Sequence, residues 1–180
     1  MAVKITYFVH GTTTDNETGK ATGWLAGELS ELGKKQAAEL RDQVADAVFD
    51  IVFCSDLQRA IDSAELGFGG KYQIIHDRRL RECNYGDNNG KDGAFKIDMT
   101  QNIDVPFPNG ESYKDAEKRM RDFVAFLKKN YDGKHVAIVA HQAPQLALDV
   151  ILKSKTWQQA IAEDWRNIHA WQPGWEYIIA

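Results

Sequence analysis

Short runs of β-branched and aromatic residues alternate with amphipathic helical segments along this chain, and that alternation limits the folds open to it. From their residue content, strands are predicted at 5–9, 51–54, 72–75, 136–140 and 175–179. The run at 136–140 is apolar throughout, which is typical of a strand buried on both faces of a parallel sheet. The alternation predicts an α/β protein, a three-layer α/β/α sandwich around a mostly parallel central sheet.

Helices are predicted between the strands from caps and from apolar residues at helical spacing. Ser30 is the expected N-cap of the first helix, and Ser112 and Asp115 form a capping pair at the start of a later one. Other helices are expected from about Leu57, near 144–152 and near 156–164. The predicted core-facing residues are Ala37, Leu40, Val44 and Ala47 in the first helix, and Ala116, Met120, Phe123 and Leu127 in the later one.

The segment 78–110 lacks such periodicity and is rich in Gly, Asn and Asp. We expect it to be a long irregular excursion over the domain. Spans of that length are usually functional or disordered. The five tryptophans of the chain are expected in the core and at its rim, not in a binding cage.

Length, charge and cysteine content exclude several classes of protein. The 180 residues fit one domain, 1–180, and the net charge of −4 without a basic stripe disfavours a nucleic-acid partner. Two cysteines are too few for a secreted disulfide framework. The apolar stretch at the start is too short for the core of a signal peptide, and no apolar run is long enough to span a bilayer. We therefore expect a cytoplasmic protein without a membrane partner.

Three of the predicted strands end abruptly in polar residues. His10 follows the first strand, and His141 and Gln142 follow the fourth. Ser55 follows the second, with Arg59 one helical turn later. Because ligands bind beyond the carboxyl ends of strands in open parallel sheets, these side chains are expected to converge. Arginine and helix N-termini both donate to phosphate oxygens, so the set suits a phosphate ligand.

Six segments resemble the histidine phosphatase superfamily, also called the phosphoglycerate mutase-like family. The hallmark of that family is Arg-His-Gly-Glu/Gln-Thr-x-x-Asn after the first strand, and later segments include Ser-x-Leu-x-Arg-Ala and Leu-Arg-Glu. The corresponding segments here are 10–16, 23–24 together with 29–37, 54–60, 80–86, 108–112 and 139–141. They occur in the family's order over almost the whole chain, which makes the combination far more specific than any single match.

The resemblance implies a phosphatase that passes a phosphoryl group through a histidine. His10 would be the nucleophile. Arg59 and a protonated His141 would hold the phosphoryl oxygens. Glu82 would be the general acid, kept protonated because a nearby phosphate dianion raises the pKa of a carboxyl group. The further phosphate- or substrate-binding residues are Gly11, Thr12, Asn16, Thr22, Gly23, Ser55 and Gln142.

No metal ion or cofactor is required for this chemistry, and the expected partners are a small phosphorylated substrate and inorganic phosphate as the product. Taken alone, His10 is more simply a structural residue at a strand end, and Glu82 an exposed loop residue. Their occurrence with Arg59 and His141 favours the catalytic interpretation.

The chain departs from the family motif at three places. Val9 stands where an arginine normally precedes the nucleophilic histidine, and Thr12 replaces the usual Glu or Gln. Asn88 and Asn89 stand where many relatives carry Trp-Glu. An uncompensated loss of the arginine is expected to cost about ten- to a hundredfold in rate.

Three interpretations of Val9 remain open. Val9 replaces the arginine and faces the crevice, or the arginine is deleted and a one-residue shift turns Val9 towards a packed face. In the third interpretation a cation from elsewhere, such as Arg81 or Lys91, fills the gap. The first is favoured because 10–16 align with the motif without a gap.

Hydrolysis of a small phosphomonoester is the favoured function. A phosphoglycerate mutase shares the phosphohistidine step but returns the group to a substrate, and members of that branch tend to be longer, which favours hydrolysis for this chain. A third alternative, which the absent arginine keeps open, is a catalytically impaired phosphate-ligand-binding or regulatory module. The physiological substrate and the oligomeric state are left open.

Overall fold

The computed structural model describes residues 1–170, 172 and 174–180. Its strands are β1 (Val3–Val9), β2 (Lys20–Ala21), β3 (Ile51–Cys54), β4 (Ile74–His76), β5 (Lys91–Asp92), β6 (His135–Ala140) and β7 (Trp175–Ile179). Its helices are α1 (Thr14–Glu17), α2 (Glu31–Gln43), α3 (Gln58–Phe68), α4 (Tyr113–Asn130), α5 (Gln142–Lys153), α6 (Trp157–Ala162) and α7 (Trp165–Ile168). Short 3-10 turns lie at Arg78–Leu80, Gly86–Asn88, Gly93–Lys96 and Met99–Asn102.

The central sheet has the strand order β4-β3-β6-β1-β7. β1 runs parallel to β6, with Val9 opposite Ala140, and antiparallel to β7 on its other side. β3 is parallel to both of its neighbours, β4 and β6. The predicted α/β sandwich with a mostly parallel sheet is confirmed, and β7 is its antiparallel edge strand.

Each face of the sheet has its own core because side chains alternate along a strand. Tyr7 belongs to a larger core formed with α4 and α5, and its neighbour Phe8 belongs to a smaller core formed with α2 and α3. On β3, Phe53 and Val52 divide in the same way. Burial of an apolar side chain of this kind contributes about 1.5–3 kcal/mol. The helices are thereby held on both faces, and the strand ends are left open at one edge.

The predicted helix caps are present. Ser30 Oγ accepts a hydrogen bond from a backbone N–H in the first turn of α2. At the start of α4, Ser112 Oγ accepts from the N–H of Asp115 at 3.1 Å, and the Asp115 carboxylate accepts from the N–H of Ser112 at 2.9 Å. α2 ends earlier than its apolar pattern indicates, and Val44 and Ala47 pack against the smaller core from beyond the helix.

The segment 78–110 contains the 3-10 turns and β5, which pairs antiparallel with β2. Two-residue strands are too short for a periodic pattern, so the sequence did not predict this ribbon. Trp157 and Trp175 are buried and Trp24 and Trp165 half-buried, whereas Trp171 lies outside the described residues. Across the described ranges, no helix combines the length and apolar content needed to cross a membrane.

Candidate active site

The carboxyl ends of β1, β3 and β6 lie side by side and bring the predicted residues together. His10 directly follows β1, and its N–H donates to the carbonyl oxygen of Ala140 at 3.0 Å. The ring centroids of His10 and His141 are 5.0 Å apart. Arg59 lies in the first turn of α3, and its Nε is 3.3 Å from Nε2 of His10. The expected convergence at the strand ends is therefore present for His10, Arg59 and His141.

Hydrogen bonding fixes the tautomer of His10. Its Nδ1 lies 2.7 Å from the carbonyl oxygen of Gly11, and since a carbonyl can only accept, Nδ1 carries the proton. Nε2 keeps its lone pair, which accepts from Nε of Arg59. Burial, followed by the charge of Arg59, lowers the pKa of His10 to about 3. At neutral pH the ring is uncharged, and Nε2 is the nitrogen able to act as a nucleophile.

Arg59 is 2% exposed, yet no carboxylate forms an ion pair with it within the described part of the chain. Its terminal nitrogens donate to the carbonyl oxygens of Gly23, Leu25 and Ala26 at 2.8, 2.9 and 3.3 Å. These carbonyls orient the guanidinium group without neutralising it. Arg59 is therefore a cation held beside His10, with its charge available to an anionic ligand.

His141 is 1% exposed, and neither of its ring nitrogens has a hydrogen-bond partner among the residues that the structure describes. Burial first, and then the charges of Arg59 and His10, lower its pKa well below the ordinary value. The ring is neutral in the free protein, because a second positive charge beside Arg59 would be repelled. The protonated state expected with a phosphoryl group bound stays a prediction. Buried polar atoms normally have partners, and these two ring nitrogens fit a phosphoryl oxygen.

The carboxylate of Glu82 is buried and held by backbone donors. Its Oε1 accepts from the N–H groups of Cys83 and Ala143, both at 2.9 Å, and its Oε2 accepts from the N–H of Gln142 at 3.2 Å. Burial alone would raise the pKa of Glu82, but Lys96 and these donors outweigh it and hold the pKa below its ordinary value. Glu82 is therefore ionised in the free protein. Because Oε1 already has two donors, Oε2 is the atom able to take a proton.

His10 opens onto two adjoining cavities of about 680 and 360 Å³. The larger one is also lined by His141 and the smaller one by Arg59. The residues that line both are His10, Asn16, Glu82, Lys96, Gln142 and Arg166. The space suits a small organic molecule, and its shared wall carries the polar groups.

Two of these shared residues, Lys96 and Arg166, were missed by sequence reasoning. Lys96 lies in the irregular segment 78–110 and Arg166 in the four-residue α7. The only available signal was the unusual length of that irregular segment. Nothing in the local sequence shows that either side chain lines the cavities onto which His10 opens.

Three of the further predicted residues follow His10 closely in the chain or line the cavities beside it. Gly11 packs so closely on Gly33 that a Cβ atom would lie 2.4 Å from the Gly33 carbonyl oxygen. Thr12 lines the larger cavity, and its Oγ1 donates to Oε1 of Gln36 at 2.9 Å. Asn16 lines both cavities and forms part of the N-terminal cap of α1.

The remaining predicted residues divide between the cavity and the interior. Thr22 and Gly23 line the smaller cavity, and Gln142 lines both. Ser55 is fully buried and is absent from the described lining of either cavity. Its Oγ accepts from the N–H of Leu57 at 3.3 Å, so it stabilises the turn before α3.

Comparisons with known proteins identify a family and several relatives of this chain. Residues 7–173 match the family model of the histidine phosphatase superfamily (branch 1). The chain is 32% identical over 167 residues to a 2,3-bisphosphoglycerate-dependent phosphoglycerate mutase of Methylorubrum extorquens, covering 82% of this chain and 77% of the relative. It is 26% identical over 156 residues to phosphoserine phosphatase 1 of Hydrogenobacter thermophilus, covering 81% and 74%. The native structure of a mycobacterial glucosyl-3-phosphoglycerate phosphatase matches with a TM-score of 0.78 and 28% identity, covering 90% of this chain and 84% of that one.

Proposed function

Because this chain belongs to the histidine phosphatase superfamily (branch 1), we propose that it hydrolyses a small phosphomonoester through a phosphohistidine formed on His10. The observation that carries the proposal is the arrangement around the His10 ring. Nδ1 donates a hydrogen bond to the Gly11 carbonyl oxygen, and Nε2 keeps a lone pair beside Arg59. His141, with two unpartnered ring nitrogens in the described structure, lies 5.0 Å away between ring centroids.

The reaction has two steps. In the first, Nε2 of His10 attacks phosphorus, the N–P bond forms, and the bond from phosphorus to the ester oxygen breaks as that oxygen takes a proton from Oε2 of Glu82. In the second, water attacks phosphorus and gives a proton back to Glu82, and the N–P bond breaks. The products are an alcohol and inorganic phosphate, and His10 and Glu82 return to their starting states.

The substrate's own charge prepares the acid. A phosphoryl dianion beside His141 and Glu82 raises the pKa of both groups, because it favours the cationic ring and disfavours the carboxylate. Glu82, ionised in the free protein, thereby acquires the proton that it later donates. In a loose phosphoryl-transfer transition state the remaining task is charge stabilisation, which Arg59 and His141 are suited to provide. We assign this activity to one domain, 1–180, acting in the cytoplasm.

Trapping of the intermediate tests the proposal. Rapid alkaline quenching with labelled substrate should give a phosphoenzyme that is stable in base and labile in acid, and His10→Ala should abolish both the label and turnover. His76→Ala is the matched control, since His76 is exposed at the end of β4 and is not in the described lining of either cavity. Label retained by His10→Ala rejects the assignment.

A mutase is the second candidate, favoured by the 32% identity to a phosphoglycerate mutase. In that case the phosphohistidine returns its group to a phosphoglycerate and does not release it to water. Assays with and without 2,3-bisphosphoglycerate separate the two, because only the mutase converts one phosphoglycerate isomer to the other. A catalytically impaired binding module, the third candidate, binds phosphate but forms no labelled intermediate.

A further inference from the structure

At the end of β1 the site lacks a cation, because Val9 stands where the motif of the histidine phosphatase superfamily has an arginine. Val9 lines the larger cavity and packs half-buried against the larger core. Neither cation suggested by the sequence replaces the charge. Arg81 is bonded through two nitrogens to the carboxylate of Asp56, both at 2.7 Å, and lies over the ring of Trp24. Lys91 is exposed on β5 and is not among the described residues that line either cavity.

Lys96 does lie at the site. It ends the turn Gly93–Lys96 and lines both cavities together with His10. Its Nζ donates to the side-chain oxygen of Gln142 at 2.7 Å and lies 5.2 Å from the ring centroid of Tyr85. Over the described ranges no carboxylate forms an ion pair with it. This half-buried ammonium group therefore has neutral groups as its direct contacts and keeps its charge for a ligand.

The charge of Lys96 reaches the proposed acid. Burial would raise the pKa of Glu82. Among the groups that lower this pKa, Lys96 has the strongest effect. Burial in turn lowers the pKa of Lys96, and the charge of Glu82 opposes that shift. The two groups interact through the space into which His10 opens, although they form no direct ion pair.

Arg166 also lines both cavities, but its charge is already matched. Its guanidinium group donates to Oδ1 of Asp164 at 2.9 Å, and the Asp164 side chain is 1% exposed. A buried ion pair offers an added anion less net attraction than an unpaired cation does. Of the two cations that the sequence did not predict at the site, Lys96 is the better suited to bind an anion.

We propose that Lys96 donates a hydrogen bond to a phosphoryl oxygen of the substrate and supplies the charge that Val9 does not. The role of Lys96 rests on the proposed function for one point only, which is the position of the phosphoryl group beside His10. The ligand class is a phosphomonoester dianion or free inorganic phosphate. Lys96 therefore contacts the group that is transferred, and not a second anionic group elsewhere on the substrate.

Calorimetric titration of the native protein with inorganic phosphate near neutral pH tests this without turnover. Lys96→Gln should weaken phosphate binding by about 10- to 100-fold, the range of one charge-assisted hydrogen bond. Lys96→Arg, which keeps the charge, should bind within about threefold of the native protein. Lys91→Gln is the matched control, because it removes the same charge from an exposed position.

The outcomes separate the two proposals. A change below about twofold in Lys96→Gln, or an equal loss in Lys91→Gln, overturns the role of Lys96. If the melting temperature of Lys96→Gln falls, Lys96→Met is used in its place, because it keeps the apolar part of the side chain. If no phosphohistidine is trapped but Lys96→Gln still loses phosphate binding, the hydrolysis mechanism fails and the Lys96 site stands. A native protein that binds no phosphate overturns the role of Lys96, whereas the hydrolysis mechanism is still decided by trapping of the phosphohistidine.

Discussion

The hydroxyl group of Tyr7 is bonded to both polar groups of the His141 backbone: it donates to the carbonyl oxygen at 2.6 Å and accepts from the N–H at 2.9 Å. Burial, reinforced by the charge of Glu82, raises the pKa of Tyr7 well above its ordinary value, so the hydroxyl keeps its proton. His141 is the N-cap of α5 in extended backbone. β1, which ends beside the proposed nucleophile His10, thereby positions His141 through Tyr7.

Tyr7→Phe should therefore impair both stability and catalysis. The buried His141 N–H loses the acceptor that it has in Tyr7, and the carbonyl loses one of its donors, which should lower the free energy of unfolding by about 1–3 kcal/mol. We also expect a lower kcat at a temperature where the variant is fully folded, because the His141 ring is less firmly positioned. Urea unfolding and steady-state kinetics measure the two effects.

Tyr113→Phe is the matched control for that substitution. Tyr113 is also fully buried in the larger core, but its hydroxyl forms no hydrogen bond within the described chain. Its removal should change the free energy of unfolding by less than about 1 kcal/mol and leave kcat unchanged. If the two variants behave alike, Tyr7 does not position His141.

Glu82→Gln should slow alkyl phosphates by about 10²–10⁴-fold and p-nitrophenyl phosphate much less. The alkyl oxygen needs a proton as it leaves, whereas nitrophenolate is stable without one. The kcat values of the two substrates, compared in the same variant, measure the difference. Equal slowing on both would mean that Glu82 is structural.

Stability has to be measured beside that comparison, because Glu82 also binds the start of α5. An amide in place of Oε2 would face the N–H of Gln142, donor against donor, at an expected cost of about 1–3 kcal/mol. Glu111→Gln is the control: its carboxylate also accepts a backbone N–H, from Asn84, but the described cavity lining does not include it. It should not distinguish between the two substrates.

Two kinds of feature were predictable from the sequence: those set by residues close together in the chain, and those set by a simple rule of topology. Ser30 caps α2 and Ser112 caps α4 because each hydroxyl reaches an N–H three residues on. The meeting of His10 with His141 was also predictable, since parallel neighbouring strands end at one edge of the sheet. In each case a local pattern or a simple rule of topology was sufficient.

What escaped prediction depends on packing between distant segments. The position of Lys96 depends on how the irregular segment 78–110 folds over the sheet, which no periodic pattern records. The neutral ring of His141 results from burial beside Arg59, so its charge state follows from the folded structure alone. Ser55 matches the family motif as well as Arg59 does, yet its hydroxyl is used in a turn.

The two site histidines should make stability acid-sensitive. Burial and then Arg59 lower the pKa of His10 to about 3, and burial and Arg59 also hold that of His141 well below its ordinary value. In the unfolded chain both protonate near pH 6.5. Below about pH 6.5 the unfolded chain therefore binds more protons, and the free energy of unfolding should fall by about 1.4 kcal/mol per pH unit for each histidine until the folded pKa is reached. Above about pH 6.5 the contribution of both histidines to stability is complete and constant.

Urea unfolding at a series of pH values from neutral to mildly acidic measures this slope. His141→Gln should reduce it by the share of one histidine, and saturating phosphate should reduce it in the native protein by raising both folded pKa values. An unchanged slope in His141→Gln would contradict the assignment of its neutral, buried state.

The substitution Val9→Arg, made in two backgrounds, decides among the three interpretations of that position. If Lys96 supplies the missing charge, Val9→Arg alone should crowd the larger cavity and weaken vanadate binding at an unchanged melting temperature. In the Lys96→Gln background the same substitution should tighten vanadate binding about tenfold, because one charge-assisted hydrogen bond is restored.

Tenfold tightening in the native background would instead mean that no cation fills the gap left by the absent arginine. A large fall in melting temperature would mean that Val9 points into the packed core, where an unpaired arginine is strongly destabilising. Vanadate inhibition and thermal unfolding of the native protein, both single variants and the double variant complete the cycle.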